Sequence, residues 1–418
     1  MKAEDINVSY EDAIKIAPPN LRKKIQHSVE LIRKAEKIAL MYDPEDGFYN
    51  TFSGGKDSQV LFHIVKMAGV KFKTHMSLTS VDPGDVIRFV KTEYSSVVRH
   101  KPKLSIFQKA IERQILPTMR VRWCCADFKE SAGAGKVTLI GIRAEESARR
   151  ARRHEVEVSS KKFSGNLEEF EEWSKSEIGR KQKKMKRKLN EDEFSVKSDN
   201  EVRCINGKDS ILISPIFDWT EKDVWYFLNN VIKAPYCSLY DEGYTRIGCI
   251  LCPMSNAKSK LRDIKHFPHV KRNWIEAIKA IRRGGIQRRI YLVEHPDEMD
   301  GANIAPRTEI PHKSPPPIRG LWGNRENPRE CAAEKNHLSG MAQIRRKLDY
   351  TTEQQTLSMS LPKGQSNGFS DSPTSGGVDV GQFTEDEIAE AIFDWWISGK
   401  PYKKWYNDRY IQQRFNFD

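Results

Sequence analysis

A chain of 418 residues, 38% hydrophobic and 30% charged, exceeds one typical domain, can fill a large core, and leaves part of its length solvated. Met1 to Ala13 has no apolar h-region and no later run is apolar enough to span a bilayer, so a soluble, cytoplasmic protein without a membrane partner is expected. The net charge of +13 and pI near 9.2 favour an anionic partner: nucleotides fit, nucleic acid is a candidate, and a merely solubilising basic surface is the alternative.

In chain order, residues 1–45 form an N-terminal helical segment. Leu21, Ile25, Val29, Ile32, Ala35 and Leu40 fall near helical spacing between Asn20 and Met41, a lid or brace for the body of the chain. A strand over Phe48 to Phe52, a glycine turn, and a helix through Val60, Leu61, Ile64, Val65 and Ala68, ended by Gly69, come next. A strand is expected over Phe72 to Leu78, a helix over Asp85 to Thr92 and a short strand near Val97. A helix over Ile106 to Ile115 and a strand over Val137 to Ile142 complete this stretch. Such alternation implies an α/β fold with a parallel sheet, whose ligands sit beyond the carboxyl ends of the strands.

Residues 156–209 read as a charged insertion, partly helical, that leaves the sheet and returns at Ile211 to Ile213. The α/β domain thus takes residues 46–155 and 210–256. Thr220 and Asp223 mark a helix start. Residues 257–350 form a helical and irregular extension, with helical spacing over Val270 to Ile286 and a proline-rich stretch over Pro306 to Pro317. Residues 351–382 read as a disordered linker, and residues 383–418 as a C-terminal aromatic helix through Ile388, Ala391, Ile392, Trp395 and Trp396, with Tyr402, Trp405, Tyr406 and Tyr410 beyond it.

The chemistry concentrates in Ser53-Gly54-Gly55-Lys56-Asp57-Ser58. Between a strand and a helix, Gly54 and Gly55 let backbone N–H groups converge on phosphate oxygens. Ser53 and Ser58 can add hydroxyl donors and Lys56 a charge, while Asp57 suits a magnesium contact or a loop-shaping hydrogen bond. The spacing is not that of a Walker loop; an ordinary strand-to-helix turn is the bland alternative. Of the seven cysteines, four form two tight groups, Cys124-Cys125 and Cys249-x-x-Cys252, which in a reducing compartment points to metal or redox chemistry. Four thiolates suit a soft metal centre, iron–sulfur or a structural zinc. Cys237 is a spare thiol, and Cys204 and Cys331 are ordinary ones.

Ser-Gly-Gly-Lys-Asp-Ser resembles the signature of the PP-loop ATP pyrophosphatases, which split ATP between the α and β phosphates. Trp123-Cys124-Cys125-Ala126-Asp127-Phe128-Lys129, Gly141-Ile142-Arg143-Ala144-Glu145-Glu146-Ser147 and Gly243-Tyr244-Thr245-Arg246-Ile247-Gly248-Cys249-Ile250-Leu251-Cys252-Pro253 resemble the phosphoadenosine phosphosulfate reductase family. With Pro215 to Thr220 and Leu239 to Gly243, they keep the family's order from about Phe48 to Met254. The resemblance implies a Rossmann-like sheet of the adenine nucleotide alpha hydrolase type with helical additions. It also implies nucleotide contacts at Gly141 and Arg143, and, in the iron–sulfur branch, a [4Fe–4S] cluster on Cys124, Cys125, Cys249 and Cys252.

The family's sulfonucleotide reductases carry a C-terminal Glu-Cys-Gly-type thiol segment and a degenerate loop; here the loop is intact and no cysteine follows Cys331. That combination resembles the sulfur-transfer branch, DNA phosphorothioation included. The expectation is an adenylating enzyme using ATP and Mg²⁺ with Lys56, Asp57 and Ser58 in catalytic roles. DNA or tRNA would be the acceptor, a cysteine desulfurase or similar the sulfur donor, and a multisubunit complex the setting. A sulfonucleotide reductase and a noncatalytic nucleotide-sensing subunit of a DNA-modification or defence complex are the alternatives. Arg143 neutralises phosphate or pairs with a neighbouring carboxylate, and Glu145 and Glu146 are candidate magnesium carboxylates. The runs Arg149 to Arg153 and Lys181 to Lys188 are solvated faces or polynucleotide contacts. Lys129 would offset cluster charge, and Trp395-Trp396 reads as core.

Overall fold

Short apolar runs joined by helices build a sheet in which each parallel pairing needs a crossover connection. The computed structural model describes residues 2–187, 203–205, 207–294 and 384–400. Lys188, Pro306 to Pro317, Cys331, the linker 351–382 and the aromatic tail from Tyr402 lie outside the described residues. The chain divides into two compact units, Met1–Asn273 and Trp274–Asp418.

In the first unit, α1 (Tyr10–Ile16) and α2 (Pro19–Tyr42) precede β1 (Phe48–Thr51), α3 (Lys56–Ala68), β2 (Phe72–Ser77), α4 (Gly84–Glu93), β3 (Val98–His100), α5 (Ile106–Arg113) and β4 (Val137–Leu139). Then come β5 (Val156–Val158), β6 (Ser164–Gly165), helix Leu167–Lys186, β7 (Ile211–Ile213) and helix Glu221–Tyr226. The seven strands are ordered β3-β2-β1-β4-β7-β5-β6. β1 pairs in parallel with β2 and β4, β2 with β3, and β4 with β7. The fold is thus α/β and Rossmann-like, and its strand order reverses between β1 and β4, the switch point where such sheets take ligands.

The sheet is mixed rather than wholly parallel. The stretch expected to leave the sheet begins with β5, antiparallel to β7, and β6, antiparallel to β5. Val156 and Val158 bury on either side of Glu157, a period-two pattern too short to separate from the charged sequence around it. The separate helix α1 and two π-helical turns, Ala126–Glu130 and Phe227–Ile232, were likewise not legible in the periodicity.

α2 starts on Pro19, a residue suited to a first helical turn, and buries Leu21, Ile25, Val29, Ile32, Ala35 and Ala39. It is a brace: Ser28 Oγ donates to Pro215 O at 2.6 Å and accepts from Trp219 Nε1 at 3.1 Å. Lys24 Nζ adds a bond to Asp223 Oδ2 at 2.7 Å. α3 is buried almost all round and closes at Gly69, whose φ of +69° suits glycine. In the second unit, helix Glu385–Ser398 carries a capping box on Thr384 and packs Trp396 on Trp274 at 4.8 Å and on Phe393 at 5.9 Å. Among the described residues no helix is long and apolar enough to cross a membrane.

Inside α3 the Tyr94 hydroxyl donates to Gln59 Oε1 and accepts from His63 Nε2, each at 3.2 Å, while Gln59 Nε2 is buried without a hydrogen-bond partner among the described residues. Burial pushes the His63 pKa down from the ordinary 6.5 to about 3. The unfolded chain therefore takes up a proton below pH 6.5 that the folded chain refuses. This stabilisation is complete above the unfolded value and is lost as pH falls toward the folded one, with a slope of about 1.4 kcal/mol per pH unit. His63→Gln is expected to remove that slope from urea-unfolding free energies measured between about pH 6 and pH 4; parallel curves for the two proteins would refute it.

Candidate functional site

β1 delivers the chain into Ser53-Gly54-Gly55-Lys56-Asp57-Ser58, and Lys56 begins α3. Gly54 has φ +73°, and a Cβ there would meet Val86 Cγ1 at 2.7 Å and Val90 Cγ2 at 2.8 Å, so the turn needs glycine both for its dihedral and for its contact with α4. Ser58 Oγ donates to Gly55 O at 2.8 Å and accepts from Ser53 N at 3.2 Å. The Ser58 proton is thus used inside the loop, holding its shape. Ser53 Oγ lies 3.3 Å from Ser58 Oγ.

β4 ends beside this turn. A Cβ on Gly141 would stand 3.2 Å from Asp57 O, so Gly141 lets the two segments meet. Arg143, 2% exposed, donates from Nε to Asp57 Oδ1 at 2.6 Å and from Nη1 to Glu145 Oε2 at 2.9 Å and Trp219 O at 3.2 Å. Arg143 thus makes the carboxylate pairs expected of it, with Asp57 and Glu145. Asp57, in turn, has one oxygen committed to shaping the loop.

Lys56 is 3% exposed. Its Nζ donates to Thr245 O at 2.9 Å and lies 3.9 Å from Asp57 Oδ2 and 3.6 Å from Glu221 Oε1. Its amide donates to Tyr240 Oη at 2.8 Å. Tyr240, Thr245 and Glu221 are site residues that sequence reasoning missed. Leu239 to Gly243 and Thr245 stand inside recognised motifs, but nothing in their spacing says that they reach the loop.

The four cysteines come from two distant places. Cys124 and Cys125 occupy the helical turn Trp123–Cys125, followed by the π-helical turn Ala126–Glu130, which carries Lys129. The other pair is positioned by Ile250 N donating to Val81 O at 2.8 Å and Leu251 N to Asp263 Oδ2 at 2.9 Å. Lys129 Nζ donates to Cys249 Sγ at 3.3 Å, Arg122 Nη2 to Cys125 Sγ at 3.2 Å, and Thr79 Oγ1 lies 3.5 Å from Cys249 Sγ. The pairs feel one another. The Cys124 thiol is pushed up by its hydrogen bond with Cys125, by burial and by the nearby Cys125, Cys249 and Cys252. Cys125 drops to about 5, through that same hydrogen bond and then Arg122, against the effect of burial.

No three His, Cys, Asp or Glu side chains among the described residues converge as a single ion requires. The donor set nevertheless suits a thiolate-held anionic centre: four thiols, with an ammonium and a guanidinium already donating to sulfur. Cys237 is buried apart from them, and Cys204 Sγ lies 3.0 Å from Tyr42 Oη. In the basic run, Arg150 pairs with Glu146 and Arg153 with Glu157, while Arg149 and Arg152 are exposed. Glu146 also lies 3.8 Å from Arg246.

The Asp57 to Arg143 pair couples the two strand ends, and removing one member leaves a charge stranded in a largely buried place. Arg143→Met is expected to cost about 3 kcal/mol, measured as a lower urea midpoint with an unchanged m value. A loss under about 1 kcal/mol, the range of exposed pairs, would contradict the structural role given to it.

The family model for the phosphoadenosine phosphosulfate reductase domain matches residues 48–255. The chain is similar to an uncharacterized protein of Methanocaldococcus jannaschii, 26% identical over 297 residues that make up 67% of this chain and 60% of that protein. It thus spans about three-fifths of that relative's length. A 41-residue segment, 9% of this chain, is 51% identical to the adenosine 5'-phosphosulfate reductase of Neisseria meningitidis, of which it covers 16%. Among solved structures, the FMN adenylyltransferase of Candida glabrata is similar with a TM-score of 0.34 and 13% identity, over 59% of this chain and 69% of that one. The stretch that supplies the loop, the β4 end and both cysteine pairs is the one that matches the phosphoadenosine phosphosulfate reductase domain, residues 48–255.

Proposed function

We propose that the protein is an ATP-dependent adenylating enzyme of the PP-loop type, carrying a [4Fe–4S] cluster and acting in sulfur transfer to a nucleic acid, DNA or tRNA. One observation carries the reading: at the switch point an intact Ser53 to Ser58 turn meets the segment of the second cysteine pair, since Lys56 Nζ contacts Thr245 O, four residues before Cys249. That contact supports reading the turn as a phosphate site that adjoins the segment leading into the second cysteine pair.

In this reading, the amides of the glycine turn, the first turn of α3 and Lys56 hold the polyphosphate. Magnesium would be held by Asp57 and Glu145 and would neutralise phosphate charge. Arg143 keeps Asp57 in place and keeps the loop beside the end of β4. The acceptor oxygen forms a bond to the α-phosphorus while the bond from that phosphorus to the bridging oxygen breaks, and pyrophosphate leaves with the electron pair. Cys124, Cys125, Cys249 and Cys252 would hold the cluster, which supplies a place for sulfide or orders the loops around the acceptor. Lys129 and Arg122 offset its charge. A cysteine desulfurase or similar donor, met in a multisubunit complex, would provide the sulfur, and exposed Arg149 and Arg152 are the candidate phosphate-backbone contacts.

A second reading, reduction of a sulfonucleotide, is favoured by the 41-residue similarity to an adenosine 5'-phosphosulfate reductase. The two are separated by incubating anaerobically purified protein with labelled ATP and candidate nucleic acids. Pyrophosphate and an adenylated acceptor are expected, and Asp57→Asn should lower pyrophosphate release by about 100-fold through loss of loop preorganisation. Sulfite released from a sulfonucleotide, without pyrophosphate from ATP, would instead establish the reductase.

The metal makes its own prediction. Protein purified without oxygen should be brown and contain iron and acid-labile sulfide in equal amounts. Serine in place of any of Cys124, Cys125, Cys249 or Cys252 should bleach it, whereas Cys204→Ser should not. Stoichiometric zinc without sulfide would make the site a structural clamp.

A further inference from the structure

The Tyr240 hydroxyl takes the acceptor position at the first amide of α3. It accepts from the amide of Lys56, the first residue of α3, at 2.8 Å, the separation at which such an amide holds an anionic oxygen. It is also 3.4 Å from the place a Gly55 Cβ would take, so it lies directly over the glycine turn. The Lys56 ammonium is turned onto the same strap of chain, donating to Thr245 O at 2.9 Å and lying 5.5 Å from the Tyr240 ring centroid. Two donors that a polyphosphate needs are thus both held by residues 240–245.

The phenol is built into this position. Its ring meets Trp225 edge-on at 5.0 Å and Tyr236 at 6.1 Å, and burial pushes its pKa up, so it stays neutral over the loop. The backbone of the strap has anchors of its own: Gly243 N donates to Tyr240 O at 3.2 Å, Tyr244 N to Leu239 O at 3.0 Å, and Arg262 Nη1 to Gly243 O at 2.6 Å. The side chain can leave without unmaking the turn that carries it.

A hydroxyl and a phosphate oxygen cannot share one amide at that distance. We infer that Tyr240 is an internal gate, capping the phosphate loop until a polyphosphate ligand displaces it and draws Lys56 off Thr245. This rests on the nucleotide-loop reading above and adds its regulation: affinity is set by competition with a residue of the strap that leads into Cys249.

Calorimetric titration of the full chain with MgATP, and separately with pyrophosphate, tests it. Tyr240→Phe keeps the ring packing and removes only the competing hydrogen bond, so it should bind both ligands about three- to tenfold more tightly. In the wild type, MgATP should change the tryptophan emission, and Trp225→Phe should lose most of that change. Equal affinities in wild type and Tyr240→Phe would overturn the gate and leave the loop reading standing. Weaker binding by Tyr240→Phe would make the hydroxyl a phosphate ligand and also overturn it, as would a Trp225 signal that ligand does not move. Absence of binding in every variant and in the wild type would remove the loop reading and the gate together.

Discussion

A carboxylate in a crowded turn must be neutralised, and the guanidinium that neutralises Asp57 comes from the far side of the switch point. Arg143 Nε at 2.6 Å from Asp57 Oδ1 joins the loop after β1 to the segment after β4. The two strands are neighbours by register, with Asn50 opposite Leu139, and the ion pair extends that register past their ends, where no ladder bond is available. A second donor of Arg143 reaches Trp219 O, and the Trp219 indole is tied to Ser28 on α2. One buried side chain thereby connects the loop, β4, the stretch after β7 and the N-terminal brace. A lysine could supply the charge but not the fork that reaches Asp57, Glu145 and Trp219 at once.

The same region shows how local charge is balanced by paired side chains. Lys56 and Arg143 share Asp57, with Glu221 and Glu145 at the rim, so the loop carries no large uncompensated field. In the proposed reading a polyphosphate would exchange these partners for its own oxygens, the cost of burying either cation having been met by folding. The cysteine region follows a parallel logic: Lys129 and Arg122 donate to sulfur, and a thiol beside a guanidinium ionises far more readily than one beside other thiols. Cys125 and Cys124, adjacent in sequence, are driven in opposite directions first by the hydrogen bond they share, to which Arg122 adds on the Cys125 side and burial on the Cys124 side.

Segment 238–252 links the glycine turn to the cysteine region. Tyr240 and Thr245 face the loop, while Ile250 and Leu251 are pinned by Val81 and Asp263 so that Cys249 meets Lys129 and Thr79. Leu251 accepts φ +56° to do so, a strained value for a bulky residue that persists because the surrounding contacts determine it. Nothing in such a segment looks like a strand or a long helix; its conformation is the sum of local turns and of contacts with Lys56, Thr79, Val81 and Lys129, each more than a hundred residues away.

By itself the sequence determined the elements whose signal is local. The aromatic strand before the glycine turn, the helix ended by Gly69, the amphipathic brace and the capped start at Thr220 all follow from spacing and end residues that act within one or two turns. The loop Ser53 to Ser58 and the two cysteine pairs were legible for the same reason, since each is contiguous. Tertiary structure alone decided what depends on meeting across the chain: that β5 and β6 extend the sheet antiparallel, that Arg143 spends its fork on carboxylates, that Ser58 turns its proton inward, and that Tyr240 covers the loop. Those outcomes rest on hydrogen bonds and ion pairs between distant residues, whose geometry depends on the packing of the whole sheet and leaves no periodic trace in the residues that make them.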